Sequence, residues 1–287
     1  MKTRASPYPY WFVLPASAVY ITLFLVPTAA SFWFCFTRWD LTTAQFIGLD
    51  NFRQFFSEHA LLQGFINTMI YALITCGLKT VIGLLFAVYL TSNVLGQAVM
   101  RNVIFFPTLV STIGVGITFS ALMHPTKGLF NVSLAAIGID GPGWLVDPSL
   151  TLYSIAAVDL WKGVGLATLI YIAGLATIST EYYDAAKVDC ATPWQTFWKI
   201  TVPLVRPATI TVITLSLIGG MRSFDVIWSM TRGGPGFSSD VLASVIYKQY
   251  QAGFYGLATA GNVMLFLLIA SIILPLSWWF NRREAEQ

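Results

Sequence analysis

Five charged side chains lie inside long apolar tracts of this 287-residue chain. They are Lys79, Asp159, Lys162, Arg222 and Asp225. Because a charge in hydrocarbon is energetically costly, each of these side chains should face protein or water. Asp159 and Lys162 are three residues apart, as are Arg222 and Asp225. At helical pitch the members of each pair share a face, so each pair is predicted to neutralise itself in part.

Two interpretations of these charges stay open. In the first they are structural, either as ion pairs or, for Lys79, as a side chain that extends from a helix end towards the interface. In the second they line a transport path, where tryptophan rings stack on the apolar face of a sugar and Asp, Arg and Asn side chains bind its hydroxyl groups. The candidate path residues are Trp161, Lys162, Arg222, Asp225, Trp228 and Asn262. An isolated tryptophan in a membrane helix is also a common packing residue.

Sequence motifs of catalytic and cofactor-binding sites are absent. The tetrapeptide GLKT (residues 77–80) matches the end of a phosphate-binding P-loop, but the upstream glycine is missing and the surroundings are apolar. Neither HExxH nor GxSxG occurs, and the three cysteines are too widely spaced for a disulfide framework or a zinc site. We therefore predict no catalytic residue, no metal site and no cofactor in this chain.

The composition indicates a membrane protein. Only 10% of residues are charged and 56% are hydrophobic, whereas a soluble domain carries about 25% charged residues. A membrane helix needs about 20 mainly apolar residues, and six stretches qualify: roughly 10–36, 65–92, 103–123, 149–177, 205–230 and 255–280. We predict an all-α, polytopic membrane protein with six transmembrane helices. The net charge of +3, without a basic run, argues against a nucleic-acid partner.

Basic residues in the connections indicate the orientation, because cytoplasmic connections carry an excess of Lys and Arg. With the N-terminus inside, eight basic residues lie on the cytoplasmic side: Lys2, Arg4, Arg101, Lys187, Lys199, Arg206, Arg282 and Arg283. Five lie on the outer side: Arg38, Arg53, Lys127, Arg232 and Lys248. We predict that both termini are cytoplasmic. The first apolar tract is longer than the roughly 7–15 residues of a signal-peptide core, which favours an uncleaved first span.

One long polar segment, EYYDAAKVDCATPWQTFWKITVP (residues 181–203), interrupts the apolar chain on the predicted cytoplasmic side. It is predicted to form two short helices, the first ending near Ala191. Thr192 is placed as an N-cap, with Pro193 at the first helical position and Gln195 three residues after the cap, which is the spacing of a capping box. A helix pair with one apolar and one polar face is suited to binding a partner, although an ordinary surface loop would have a similar composition.

This segment resembles the EAA motif of ABC importer permeases. The motif is carried by DAAKVDCA (residues 184–191) and ITVP (residues 200–203). Three positions depart from the family pattern: Asp184 replaces Glu, Cys190 replaces Gly and Val202 replaces Leu. With Cys190 at the glycine position, the bend between the helices uses either ordinary or strained backbone angles.

Six further stretches are similar, in order, to the carbohydrate-uptake branch of that family, which includes the maltose and glycerol-phosphate importers. They are GLDNF (48–52), NTMIYAL (67–73), GWLVDP (143–148), WKGVG (161–165), AGLATI (173–178) and FDVIWSMTRGGPG (224–236). The resemblance implies a permease subunit of an ATP-driven, binding-protein-dependent sugar importer that forms half of the translocation path. It also implies that the loop couples this path to an ATPase. The implied coupling residues are Asp184, Ala185, Ala186, Asp189, Cys190, Ala191 and Pro203.

The resemblance further implies the domain organisation and the partners. Residues 1–64 would form a peripheral transmembrane helix and an outer loop, residues 65–280 a five-helix core that includes the coupling loop 181–203, and residues 281–287 a cytoplasmic tail. The partners would be a second, homologous permease in a heterodimer, two cytoplasmic ATPase subunits that bind ATP and Mg, and an extracytoplasmic sugar-binding protein. The location would be the plasma (inner) membrane of a bacterium or archaeon. Two alternatives are an ion-coupled secondary transporter of polar solutes and an integral membrane enzyme.

Overall fold

The computed structural model describes residues 10–92 and 95–284. In this part of the chain, four helices are long and apolar enough to cross a membrane, and six spans result if each of two bent helix pairs counts as one. The mostly helical architecture confirms the all-α prediction, to which the structure adds one short two-stranded hairpin. The predicted basic residues Lys2 and Arg4, and the tail beyond residue 284, lie outside the described residues.

The described elements follow one another in a simple order. The helices up to the first long span are α1 (Leu14–Tyr20), α2 (Val26–Phe34), α3 (Asp50–Ser57) and α4 (His59–Thr91), with strands β1 (Thr37–Trp39) and β2 (Ala44–Phe46) between α2 and α3. The next helices are α5 (Gln97–Leu109), α6 (Thr112–Leu122), α7 (Leu129–Ala136), α8 (Thr151–Ala176), α9 (Thr180–Val188), α10 (Pro193–Thr196) and α11 (Val202–Leu204). The last are α12 (Arg206–Met221), α13 (Asp225–Met230), α14 (Leu242–Gln251) and α15 (Tyr255–Glu284).

Two of the predicted spans are broken in the structure. The stretch 103–123 is divided between α5 and α6, which meet at an angle of 98°. Pro107 lies inside α5 and Val110 is extended, so the helix cannot continue. The stretch 205–230 is divided between α12 and α13, because α12 ends at Met221 and a new helix begins at Asp225.

The described residues form two compact units. Unit 1 comprises the described residues up to Glu58 together with Ile246–Phe266, and unit 2 comprises His59–Val245 and the described residues from Leu267 onwards. The predicted boundary between residues 64 and 65 lies inside α4, which begins at His59. The division into a peripheral helix with its outer loop and a five-helix core stays a prediction.

Unit 1 is organised around the hairpin. Strands β1 and β2 pair antiparallel, with Thr37 opposite Phe46. The buried Asn51 side chain in α3 donates hydrogen bonds to the carbonyls of Cys35 and Thr37, both at 2.9 Å, and so fixes α3 to the start of the hairpin. Cys35 also packs with Ala260 in a small apolar cluster.

Unit 2 is built on α4, α8 and α12, which pack against one another. Small residues allow the close approach: a Cβ at Gly220 in α12 would lie 2.8 Å from the Ala72 Cα in α4. Such small contacts are typical of helix packing in membranes, where backbones approach closely. The fully buried Tyr71 and Tyr171 lie in two of the apolar clusters of this unit. This framework positions both the polar segment and the charges of the spans.

Candidate functional site: the coupling loop and the charges of the spans

The polar segment begins with α9, which is capped at its N-terminus by Ser179. The Ser179 Oγ accepts a hydrogen bond from the Glu181 backbone N–H at 3.3 Å. Glu181 lies in the first turn and Lys187 in the last turn, so both charges interact favourably with the helix dipole. These local contacts stabilise both ends of α9.

A Schellman motif ends α9. The N–H of Ala191 donates to the Ala186 carbonyl at 2.9 Å, and the N–H of Cys190 donates to the Lys187 carbonyl at 3.1 Å. Cys190 has a φ of +53°, the left-handed conformation that glycine adopts without steric cost. The bend between the helices is therefore the glycine-type bend, formed by a cysteine with strained backbone.

The capping box predicted at Thr192 is confirmed. The Thr192 N–H donates to the Gln195 Oε1 at 2.9 Å, and the Gln195 N–H donates to the Thr192 Oγ1 at 3.3 Å. Pro193 occupies the start of α10. A wider π-helical turn, Phe197–Thr201, leads into α11, which contains Pro203. The second helix continues to Leu204 and meets α12 at an angle of 68°.

The structure separates the two alanines that the motif groups together. Ala186 is buried, with 6% of its surface exposed, so it packs inside the chain, and Ala185 is exposed. Tyr183, three residues before Ala186, also faces inward, and its OH lies 3.4 Å from the Thr201 Oγ1 of the second helix. Of the two implied coupling alanines, only Ala185 therefore lies on the outward surface of α9.

The outward face of α9 carries an apolar stripe that the motif does not include. Tyr182, Ala185 and Val188 are spaced three residues apart and are exposed, Val188 by 84%. Exposed charges flank this stripe: Asp184 forms an ion pair with Lys187 at 2.8 Å. The helical spacing of apolar residues is the signal by which the sequence itself would have identified this stripe.

Two exposed tryptophans extend this surface. Trp194 and Trp198 are 70% and 52% exposed, and their ring centroids are 5.6 Å apart. Asp189 and Cys190 are exposed, Ala191 is half-buried, and Pro203 is exposed. The coupling loop thus presents apolar and charged groups side by side on its outward surface.

Within the spans, Asp159 has a different partner from the one that spacing predicts. The Lys79 Nζ lies 2.7 Å from the Asp159 Oδ2, and this ion pair joins α4 to α8. Lys79 is only 8% exposed, so it does not extend to an interface. Gly163 makes room for it, because a Cβ there would lie 2.7 Å from the Lys79 Cε. The predicted pair of Asp159 with Lys162 is wrong, since α8 turns Asp159 towards α4.

The second predicted pair is also wrong. Arg222 and Asp225 are both exposed, and these two described side chains form no ion pair with each other. The helix break explains this, because Arg222 follows α12 and Asp225 begins α13, so the pitch of one helix no longer relates them. Ser223 between them donates a hydrogen bond to the buried Tyr71 OH at 3.4 Å.

Two of the six candidate path residues lie together. Asp225 and Trp228 line a cavity of about 200 Å³. Its other lining residues are Ile113, Ile117, Phe224, Ser229 and Arg232. Trp161 is 45% exposed and lies against Phe119, with ring centroids 5.2 Å apart. The remaining candidates, Lys162, Arg222 and Asn262, do not line this cavity, and Asn262 belongs to unit 1.

Comparison with known proteins identifies the family. A family model described as "binding-protein-dependent transport system inner membrane component" matches residues 79–282. The chain belongs to this family. As a binding-protein-dependent permease, it is 30% identical to the trehalose/maltose transport system permease protein MalF of Thermococcus litoralis, over 94% of this chain and 92% of the relative. It is 28% identical to the arabinooligosaccharides transport system permease protein AraP of Bacillus subtilis, over 92% of this chain and 86% of the relative.

Solved structures show the same permease fold. The structure of a bacterial ABC transporter involved in the import of the acidic polysaccharide alginate matches with a TM-score of 0.82 and 21% identity, over 95% of this chain and 94% of that chain. The family assignment confirms the resemblance seen in the sequence and decides against an ion-coupled secondary transporter. The chain is an inner-membrane component of a binding-protein-dependent transport system.

Proposed function

We propose that this permease is a subunit of an ATP-driven sugar importer and forms half of its translocation path. Its partners would be a second, homologous permease, two ATPase subunits that hold ATP and Mg, and an extracytoplasmic sugar-binding protein. The observation that carries this proposal is the coupling loop. It is an exposed, largely polar helix pair between apolar spans, and its outward face carries an apolar stripe. The relatives named for trehalose, maltose and arabinooligosaccharides support a sugar as the cargo.

The outward face of the coupling loop is the proposed ATPase contact. Tyr182, Ala185 and Val188 would insert into an apolar cleft, and the exposed Asp184 and Asp189 would bind polar groups at its edge. Cys190, Ala191 and Pro203 would act indirectly, because they shape the bend and the second helix. Ala186 would support α9 from inside.

The loop is well placed to transmit movement into the membrane. Its first helix, α9, begins four positions after α8 ends at Ala176, and its second helix is joined to α12 through Val205. Both α8 and α12 pack against α4. Closure of the ATPase pair on ATP would therefore shift two packed spans at once, which supports alternating access of the path. The chain itself would perform no chemistry.

The exposed alanine of the stripe allows a sharp test of coupling. Ala185→Trp should fill the space that the ATPase occupies, whereas Ala135→Trp, at an exposed alanine in α7, is the matched control. Because the indole would clash with the docked partner, we expect Ala185→Trp to lower sugar-stimulated ATPase activity of the reconstituted complex at least about ten-fold. Normal coupling in Ala185→Trp would contradict the proposed contact.

The cargo and the orientation have their own tests. Import of maltose, trehalose and arabino-oligosaccharides into vesicles, with the matching binding protein, tests whether the cargo is a sugar of this kind. Uptake of none of them would contradict that proposal.

Both termini are proposed to be cytoplasmic, so a cysteine at position 287 should react with an impermeant maleimide only from the cytoplasmic side. Labelling from the outside of intact cells would reverse the orientation of the coupling loop.

The cavity at Asp225 and Trp228 is the proposed part of the sugar path in this subunit. A carboxylate beside a half-buried indole ring suits a sugar, which offers hydroxyls and an apolar face. Asp225→Asn should lower import while the complex still assembles. A loss of folded protein with normal import per complex would show that Asp225 is structural.

A further inference from the structure

A second, larger cavity opens in unit 2 where α4 and α8 begin. Its volume is about 490 Å³, within the roughly 300–1,000 Å³ range of small-molecule sites. Its walls come from the first three turns of α4, from residues 148–153 at the start of α8, and from residues 236–238. The last of these belong to the segment 231–240, which is called the Gly-Pro loop below.

This cavity lies at the opposite end of α8 from the coupling loop. Leu152 and Tyr153 in the first turn of α8 line the cavity, and the coupling loop follows the last residue of the same helix, Ala176. The 26 residues of α8 span about 39 Å at 1.5 Å per residue, more than the roughly 30 Å of a bilayer core. If the coupling loop meets the ATPase inside, the cavity faces the outside.

The walls of the cavity combine two aromatic rings with uncharged polar groups. Tyr153 is 49% exposed and Phe237 is 50% exposed. The lining residues contain no Asp, Glu, Lys or Arg, and His59 is the only histidine among them. The lining therefore offers no fixed positive charge to an anionic ligand, whereas half-exposed rings fit the apolar face of a neutral sugar.

Several hydrogen-bonding groups at the walls remain available. The Gln63 Nε2 donates to the Asn67 Oδ1 at 2.9 Å, and no described residue donates to the Gln63 Oε1. The Ser149 Oγ donates to the Asp147 Oδ1 at 2.7 Å, which lowers the pKa of Asp147 and leaves the Ser149 lone pairs as acceptors. The Ser238 Oγ also has no hydrogen-bond partner in the described part of the chain, but it is buried, so a ligand in the cavity does not reach it.

The Gly-Pro loop holds one wall of the cavity rigidly. The Asn67 side chain, 2% exposed, donates to the carbonyls of Ser238 and Asp240 at 2.9 and 2.8 Å. The Ser239 Oγ lies 2.8 Å from the Thr231 Oγ1 across the loop. Phe237 has a φ of +68°, so this network holds a non-glycine residue in the left-handed region. Such preorganisation reduces the entropy that is lost when a ligand binds.

We infer that this cavity is an outer sugar site, which holds a neutral sugar after the binding protein releases it and before it enters the membrane path. Tyr153 and Phe237 stack on the sugar, and Gln63 and Ser149 bind its hydroxyls. The inference rests on the proposed sugar-import function. It adds a second sugar-binding position to the path, one that is distinct from the cavity at Asp225 and Trp228.

Substitution of Tyr153 separates this role from binding-protein docking. Tyr153→Ala removes a stacking surface, so sugar turnover per complex should fall about five-fold. The concentration of loaded binding protein that gives half-maximal import should stay unchanged. Tyr89→Ala is the matched control, because Tyr89 is also 49% exposed but lies near the other end of α4. An increase in that half-maximal concentration would mean that the cavity holds a segment of the binding protein and would overturn the inference.

A labelling experiment tests the site without the binding protein. Pro148→Cys, at an exposed position that lines the cavity but is not assigned a sugar contact, is introduced together with Cys190→Ser, since the other described cysteines, Cys35 and Cys76, are buried. The sugar that the wild-type complex imports, maltose or trehalose, should slow maleimide labelling at millimolar concentration at least about three-fold, as expected for weak binding. Val146→Cys, an exposed position outside the cavity, is the control. If the wild-type complex imports sugar but the labelling rate is the same with and without sugar, the outer site is refuted and the proposed function stands. If the wild-type complex imports no sugar, the proposed function itself is refuted.

Discussion

The coupling loop and the buried polar groups of unit 2 are stabilised by opposite kinds of contact. In the loop, the capping box, the Schellman motif and the Asp184–Lys187 ion pair all join residues at most five positions apart. In the bundle, Lys79 binds Asp159 across 80 positions, and Asn67 binds the Gly-Pro loop across 171 and 173. The loop is therefore a locally determined structure that can move as a body, whereas the buried groups depend on the packing of the spans.

The two ion pairs give the strongest test of this difference. Lys79→Met leaves the half-buried Asp159 carboxylate without its cation, so the free energy of unfolding should fall by about 3 kcal/mol. Lys187→Met removes the exposed pair with Asp184, whose N–O distance of 2.8 Å is close to the 2.7 Å of the Lys79–Asp159 pair. This variant should change the free energy of unfolding by less than about 1 kcal/mol. Unfolding of the purified permease by titration with SDS measures both. The double variant Lys79→Met/Asp159→Leu should recover most of the loss, and equal effects of the two single variants would contradict the comparison.

The Gly-Pro loop allows a test with two glycines of similar backbone conformation. Gly233 has a φ of +87°, and a Cβ there would lie 1.8 Å from the Asp240 Oδ1. Gly233→Ala should therefore lower the free energy of unfolding by about 3 kcal/mol, since strain and overpacking add. Gly236→Ala, at a φ of +54° with open space around it, should cost about 1 kcal/mol. Thermal unfolding in detergent compares the variants, and a smaller loss at Gly233 would show that the loop can shift.

Loss of the capping box should have a smaller and more local effect. Thr192→Ala removes the Oγ1 that accepts from the Gln195 N–H, at a cost of about 1 kcal/mol. Hydrogen exchange should accelerate in residues 192–204 and stay unchanged in α4 and α8. Thr196→Ala, in the same helix but outside the capping box, serves as the control. Faster exchange throughout the bundle would show that the coupling loop is not locally determined.

Substitution of the strained Cys190 by glycine should have the smallest effect on the free energy of unfolding, and it should stabilise the protein rather than destabilise it. Cys190→Gly keeps the Schellman hydrogen bonds and relieves the left-handed backbone, so stability should rise by about 0.5–1 kcal/mol. Cys190→Ala removes the thiol but keeps the strain, and should give no gain. A midpoint of thermal unfolding that rises equally in both variants would assign the effect to the thiol instead.

The sequence determined the features that depend on composition or on neighbours along the chain. The length of the apolar tracts predicted the membrane helices, and the T-x-x-Q spacing predicted the capping box at Thr192, because such patterns act within one or two helical turns. The motif at residues 184–191 likewise marked the segment for which we propose the coupling role. It did not reveal that Ala185 faces outward and Ala186 inward, since that depends on which side of α9 packs on the second helix.

Only the tertiary structure decided the partners of the buried charges. Helical spacing paired Asp159 with Lys162, but the face of α8 that packs on α4 brings Asp159 to Lys79 instead. The breaks after Leu109 and Met221 likewise changed which side chains share a face. A charge in the membrane binds whatever opposite charge the packing of the spans brings near it, because water is not available to satisfy it. The spacing of residues along one helix cannot specify that partner.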